Sequence, residues 1–133
     1  MGTYLTREAI LAATSLPTEE ADVPEWGGTV LVRGLDGQGR DEFETSTTVL
    51  RGNKAVRDTR NIRAKLVIRC AVDPESREPL FAPEDVDALG KLSGVALNRV
   101  WEVAARLSGL SDEDVEELEG KSSPPPGGGS PSS

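Results

Sequence analysis

The apolar residues between positions 86 and 110 recur at intervals of three and four, and this stripe constrains the fold most. Its members are Val86, Leu89, Ala96, Val100, Val103, Leu107 and Leu110. Such spacing puts the side chains on one face of a helix, and that face needs a covering surface. Pro83 followed by two acids is typical of a helix start. We predict one long helix from Pro83 to Leu107, ended by Gly109, and then a short acidic helix over 111–119.

A β-branched segment, DVPEWGGTVLVRGL at 22–35, stands apart from the helical pattern. Residues 22–24 and 29–33 favour extended backbone, and Gly27-Gly28 between them can supply the positive φ angles of a tight reversal. Pro24 cannot donate a ladder hydrogen bond, which suits an edge strand. The segment therefore predicts a hairpin. Because an isolated hairpin is marginal in water, it must lie on helices or on the sheet of another protein.

Three further helices are predicted before the long one. The first covers 6–15, with Thr6 as its cap, and is so short that it must pack to persist. The second covers 40–50, with Gly52-Asn53 as its stop, and the third covers 56–72. The expected fold class is mainly α (α+β), with four to five helices and a small β-hairpin near the N-terminus.

The end of the sequence differs in composition from the rest. Residues 122–133 read SSPPPGGGSPSS and hold no apolar side chain larger than proline. Such a composition cannot offset the entropy of ordering the chain. We predict a helical domain over 1–120 and a disordered Pro/Gly/Ser-rich tail over 121–133.

Composition excludes several kinds of site. The chain has no histidine, so Ser-His and Cys-His nucleophile pairs are absent, and an enzyme would have to rely on carboxylates such as Glu84 and Asp87. The single cysteine, Cys70, allows no intrachain disulfide or multi-cysteine zinc site, and we expect it to be buried. The glycines of GLDGQG at 34–39 do not match a nucleotide-binding loop and predict a turn into the next helix. No cofactor or metal site is expected.

Charge defines the classes of partner. A net charge of −8 argues against wrapping DNA and against binding an anionic membrane. The sequence contains no signal peptide pattern and no apolar run long enough to span a bilayer, so we expect a cytoplasmic protein. Residues 112–119 carry six acids, whereas 51–69 carry seven bases and only Asp58. Oppositely charged segments can bring copies together or attract a charged partner.

The candidate contact residues lie in the hairpin and in the basic region. For Trp26 and Trp101, both a core position and a role as an interface anchor are open. The basic series at intervals of three would spiral around a helix without aromatic neighbours, which favours a solvated or intersubunit face over RNA binding. The protein-binding candidates are Trp26, Gly27, Gly28, Val30, Val32, Arg57, Arg60, Arg63 and Trp101.

Several segments, in order and spacing, resemble the tail assembly chaperones of long-tailed, siphovirus-type bacteriophages. The most specific are VPEWGGTVLVRGL and RLSGLSDEDVEELE, accompanied by TREAILAA, NIRAKLVIRCAVD and LFAPEDVDALGKLSGVALNRVWEVAA. Together they cover nearly all of residues 3–119.

The resemblance implies a non-enzymatic, self-assembling protein in the cytoplasm of the infected bacterium. Such a protein binds the tape measure protein, helps to recruit tail tube protein during tail morphogenesis, and is absent from the mature virion. It also implies a programmed −1 frameshift that makes a longer form of the chain, for which Gly120-Lys121 is the candidate site.

Two further questions stay open at this stage. The alternative function is a small structural or adaptor protein that is retained in the phage tail or the head-tail connector. For the hairpin, our hypothesis is that its edge or the surface around Trp26 contacts another copy or the client, by strand addition or aromatic docking.

Overall fold

In the computed structural model, which describes residues 4–110, helices hold about 47% of the residues and strands about 21%. The fold is therefore mixed α+β, and the expectation of a mainly α fold is corrected. The described residues form two hairpins and a short extra strand, where the sequence predicted one hairpin.

The elements follow one another along the chain with short connections. The helices are α1 (Arg7–Ala12), α2 (Gly37–Ser46), α3 (Ile62–Cys70), α4 (Val86–Gly90) and α5 (Gly94–Leu107). The strands are β1 (Thr18–Val23), β2 (Gly28–Arg33), β3 (Thr48–Arg51), β4 (Lys54–Arg57) and β5 (Ala71–Val72). Two 3₁₀ turns cover Pro24–Trp26 and Pro83–Asp85.

The predicted N-terminal hairpin is confirmed in β1 and β2, which pair antiparallel from Thr18↔Arg33 to Val23↔Gly28. Pro24 lies in the 3₁₀ turn between the strands and not within a strand. Gly27 ends that turn at φ 76°, the left-handed conformation that glycine adopts without a steric penalty.

The hairpin belongs to a three-stranded sheet in the order β1-β2-β5. Leu31 and Val32 of β2 pair with Val72 and Ala71 of β5, and Val72 forms a further bridge to Pro79. Within residues 4–110, no strand pairs with the outer edge of β1.

Helix α5 is the centre of the fold. It packs against β1 and β2 on one side and against α3 on the other, and α3 also contacts α2 and α4. The surface that accepts the N-terminal hairpin is therefore α5 of the same chain. The residues of α5 that are buried in this way are Ala96, Leu97, Val100, Trp101, Ala104 and Ala105.

The predicted long helix is interrupted. The 3₁₀ turn at Pro83–Asp85 and helix α4 are separated from α5 by Lys91, Leu92 and Ser93. The Ser93 hydroxyl accepts a hydrogen bond of 3.2 Å from the Ala96 amide, so Ser93 caps a new helix and does not continue the old one. The predicted stop at Gly109 is confirmed by its φ of 77°.

The helices predicted over 40–50 and 56–72 are wrong at the ends that face each other, and the last two residues of the second, Ala71–Val72, form β5. Helix α2 ends at Ser46 and α3 begins at Ile62, and β3 and β4 lie between them. Gly52-Asn53, expected as a helix stop, is the two-residue loop of this second hairpin, with Gly52 at φ 65°. β-branched residues on both sides of a Gly-Asn pair favour the hairpin over helix.

Helix α1 begins as predicted, with Thr6 as its cap through a 3.1 Å bond from the Ala9 amide, but it ends at Ala12 and not at the predicted residue 15. The expectation that it packs is wrong within residues 4–110, since none of its residues is buried. The acidic helix predicted over 111–119 and the tail predicted over 121–133 lie outside the described residues.

Candidate protein-binding surfaces

The turn that carries Trp26 is tied to α5. Trp26 is 36% exposed. The neighbouring Glu25 carboxylate accepts hydrogen bonds of 2.7 and 2.9 Å from Nε and Nη2 of Arg99. This bidentate pair connects the turn to α5, so the Trp26 indole lies at the surface on a turn that is anchored to the helix.

A second carboxylate on the same hairpin is bound in the same way. Glu19 of β1 accepts bonds of 2.9 and 2.6 Å from the Arg106 guanidinium of α5. The hydrogen bonds from Arg106 lower the pKa of Glu19, and those from Arg99 lower the pKa of Glu25. Two arginines of α5 therefore bind the start of β1 and the turn that follows it while the carboxylates are ionised.

The two glycines of the turn have open space beside their own Cα atoms. Gly27 and Gly28 are exposed, and a Cβ placed on either would meet no atom within 4 Å. Gly27 is required for its positive φ angle, whereas Gly28 is not in the left-handed region. A partner can therefore approach the backbone of this turn closely.

The other apolar candidates lie further inside. Val30 is half-buried against the core, and Val32 is completely buried. Trp101 is 1% exposed, with its ring 6.5 Å from that of Phe43. The structure thus places Val32 and Trp101 in the packing of the monomer and leaves Trp26 as the indole that a partner can reach.

The arginine candidates do not spiral around one helix, which corrects the sequence expectation. Arg57 lies at the end of β4 and donates to the Thr47 hydroxyl at 3.2 Å. Arg60 lies in the turn before α3, where it holds the pKa of Asp58 far below its usual range by hydrogen bonding. Arg63 lies on α3 with its guanidinium 5.7 Å from the centre of the Trp101 ring. Each arginine has its own structural role.

Exposed apolar side chains that are not among the predicted contact residues cluster at the N-terminal end. Around α1 these side chains are between 54% and 98% exposed: Tyr4, Leu5, Ile10 and Leu11. The sequence identifies them as apolar, but their exposure depends on whether other parts of the chain cover them. Among residues 4–110, no element does so.

A groove of about 270 Å³ lies beyond the end of α1. Leu16, Leu35 and Phe81 supply apolar walls, and Arg33 and Arg69 supply positive charge. The Nε atom of Arg69 is buried without a hydrogen-bond partner. Asp36 and Glu42 also line the groove, so its two bases are matched by two acids and the lining favours neither sign of charge in a partner.

The described residues offer little reactive chemistry. In the stretch from 4 to 110, no three His, Cys, Asp or Glu side chains group closely enough to hold a metal ion. Burial raises the pKa of the Cys70 thiol to about 11 despite a contact with Ser108, which makes it a poor nucleophile near neutral pH. No helix within these residues has the length and apolarity to cross a bilayer.

Comparison with known proteins gives one result. A family model described as phage tail assembly chaperone matches residues 6–121, which is most of the chain. No curated protein and no solved structure matches. The match includes the Trp26 turn, the second hairpin and α5.

Proposed function

The chain belongs to the phage tail assembly chaperone family, and from this we propose that it binds the tape measure protein and helps to recruit tail tube subunits. It acts by binding, without catalysis, in the cytoplasm of the infected bacterium. It leaves before the virion is complete. Homo-oligomers and a longer frameshifted form, made at Gly120-Lys121, belong to the same proposal.

The family match carries the role in tail assembly, and the apolar surface around α1 supports client binding. A chaperone of a long client needs repeated weak contacts, which exposed apolar side chains on a short helix provide. Since α1 is capped by Thr6 but buries no residue of its own, a client surface would stabilise it.

A matched pair of variants tests this client contact. Ile10→Ser with Leu11→Ser removes two exposed apolar side chains from α1. As a control, Leu92→Ser with Val95→Ser removes two from the connection before α5 and from its first turn. We expect the first variant to bind purified tape measure protein at least about ten-fold more weakly, because the client would no longer bury these two apolar side chains. Equal binding by both variants and the unaltered chain would refute a role for α1.

The Trp26 turn is proposed as the contact between copies or with the client. The exposed indole, the open glycine backbone and the anchoring Glu25–Arg99 pair support this choice. Trp26→Ala should reduce self-association measured by light scattering, while Trp26→Phe should retain most of it. Unchanged assembly of a correctly folded Trp26→Ala variant would rule out the contact between copies.

Mass spectrometry separates this function from that of a structural component. A chaperone should be present in infected cells and absent from purified virions. A stoichiometric amount in mature tails would instead establish the alternative, a retained tail or connector protein. The same measurement on cell lysates would show whether a longer product shares peptides with residues 1–120.

A further inference from the structure

Two bases at the tip of the second hairpin, Arg51 and Lys54, are exposed. We use the name basic hairpin for residues Thr48–Arg57, which include three bases and no acid. Arg51 and Lys54 lie directly opposite each other beside the loop. Like charges in this arrangement destabilise a strand pair. Within residues 4–110, neither has a carboxylate at salt-bridge distance.

The basic hairpin packs on one face only, where the paired residues Val49 and Val56 are half-buried, and its other residues are exposed. Among the described helices and strands outside the hairpin, α2 is the element that it contacts most, through β3. Leu50 is 75% exposed and faces Ala55 across the ladder. A two-stranded hairpin with so little support is marginal in water, so a partner that is acidic and partly apolar would stabilise it.

The chain itself contains such a segment. Residues 112–119 read DEDVEELE, with six acids and the apolar residues Val115 and Leu118. Their charge and apolar content are complementary to the basic hairpin. The six acids outnumber Arg51 and Lys54, and this allows several pairings.

The segment begins close enough to reach the hairpin of its own molecule. The described chain ends at Leu110, next to the start of α2, where Arg40 Nη1 lies 3.5 Å from the Gly109 carbonyl oxygen. The ten residues of α2 span about 15 Å, and the basic hairpin begins at its other end. Arg51 lies three residues, or about 10 Å, further along β3. Residues 111–119 can cover up to about 30 Å when extended, so the contact requires extended chain where the sequence pattern predicts a helix. Within this reach, a local concentration on the order of millimolar favours the intramolecular contact over one with a second copy.

We propose that residues 112–119 bind the basic hairpin of the same molecule. Their carboxylates pair with Arg51 and Lys54, and their apolar side chains cover Leu50. An acidic partner of the basic hairpin must then displace this segment. The proposal does not depend on the identity of the client.

Amide hydrogen exchange of residues 48–57 in the full chain tests the contact. The test variant neutralises three acids of the segment through Glu116→Gln, Glu117→Gln and Glu119→Gln. The control variant neutralises three exposed acids elsewhere through Glu75→Gln, Glu78→Gln and Glu84→Gln. At low salt, the test variant should exchange its hairpin amides about three- to thirty-fold faster, since exposed pairs are individually weak. High salt should produce the same acceleration in the unaltered chain.

Two outcomes would overturn the proposal. Equal exchange rates in both variants and the unaltered chain would show that the segment does not bind the hairpin. Protection that disappears on dilution would assign the contact to a second copy. Charge reversal gives a further measurement. Arg51→Glu with Lys54→Glu should remove the protection, and adding Glu116→Lys with Glu117→Lys should restore it. Exchange of the α5 amides reports whether each variant remains folded.

Discussion

Gly34 is the position where an added methyl group should be most damaging. It follows β2 and lies under the last turn of α5, where its amide donates to the Pro17 carbonyl at 2.9 Å. A Cβ built on Gly34 would lie 2.5 Å from the Leu107 carbonyl oxygen and 2.9 Å from its carbon. Both atoms belong to the backbone of a packed helix, so no side-chain rotation can relieve the clash.

The size of the effect follows from this geometry. Restoring a normal contact requires the two segments to separate by about 1 Å. Overpacking of this kind costs about 1–3 kcal/mol of unfolding free energy. For a domain of this size, Gly34→Ala should lower the melting temperature by about 4–24 °C.

Gly28→Ala provides the control. Gly28 begins β2, lies outside the left-handed region, and has no atom within 4 Å of the place that an added methyl group would occupy. The substitution should leave stability unchanged or raise it slightly, because alanine restricts the unfolded chain. Urea unfolding followed by circular dichroism measures both variants, with calorimetry for the melting temperatures. Equal midpoints for Gly34→Ala and the unaltered chain would refute the steric argument.

Three other predictions concern the core and the ion pairs. Trp101→Ala should cost about 3–5 kcal/mol in urea unfolding, because the ring is buried against Phe43; a loss below about 1 kcal/mol would contradict its core position. The Cys70 thiol, with a raised pKa of about 11, should react with a thiol reagent at mildly alkaline pH only after unfolding, as a colorimetric time course would show. The pKa of Glu25 is lowered from its ordinary value of 4.5, so this carboxylate stabilises the fold at pH values above 4.5, and the stabilisation is lost as the pH falls through the lowered pKa. Glu25→Gln should therefore reduce the difference in urea midpoint between neutral and acidic pH. An unchanged difference would contradict this role of Glu25.

The features best predicted from the sequence were those set by local chemistry. Thr6 and Gly109 mark helix ends as expected, and the Gly27-Gly28 pair marks the reversal of the first hairpin. The GLDGQG turn also leads into a helix, because the Asp36 carboxylate accepts a 2.7 Å bond from the Gly39 amide. These signals lie within a few residues of one another, so no long-range information is needed.

The predicted helices were wrong where the sequence fits both the spacing of a helix and the composition of a strand. Phe43, Thr47 and Leu50 are spaced almost like one face of a helix, but β-branched residues occupy positions 47–49 and a two-residue turn follows. The regular spacing of the bases from Arg51 to Arg63 reinforced the helical interpretation, although charged residues carry no information on burial. Ser93 similarly divided an apolar stripe that otherwise reads as one helix.

The candidate surfaces were only partly predictable for a related reason. Local pattern identified the Trp26 turn but could not distinguish the accessible indole from the buried one, because tertiary packing determines accessibility. It also could not show that α1 lies uncovered by the described residues or that Arg51 and Lys54 face each other.

The outer edge of β1 limits how several molecules can come together. Beyond the Glu19–Arg106 pair, the strand exposes Glu20 and Asp22, so two such edges brought side by side would place these carboxylates near one another. Acidic edges of this kind discourage fibre-like stacking of identical chains. The same edge would tolerate an extended segment rich in lysine or arginine. A crowded cell could thus hold this protein at high concentration without sheet-to-sheet growth, while a basic strand from a different protein would still be able to pair with it.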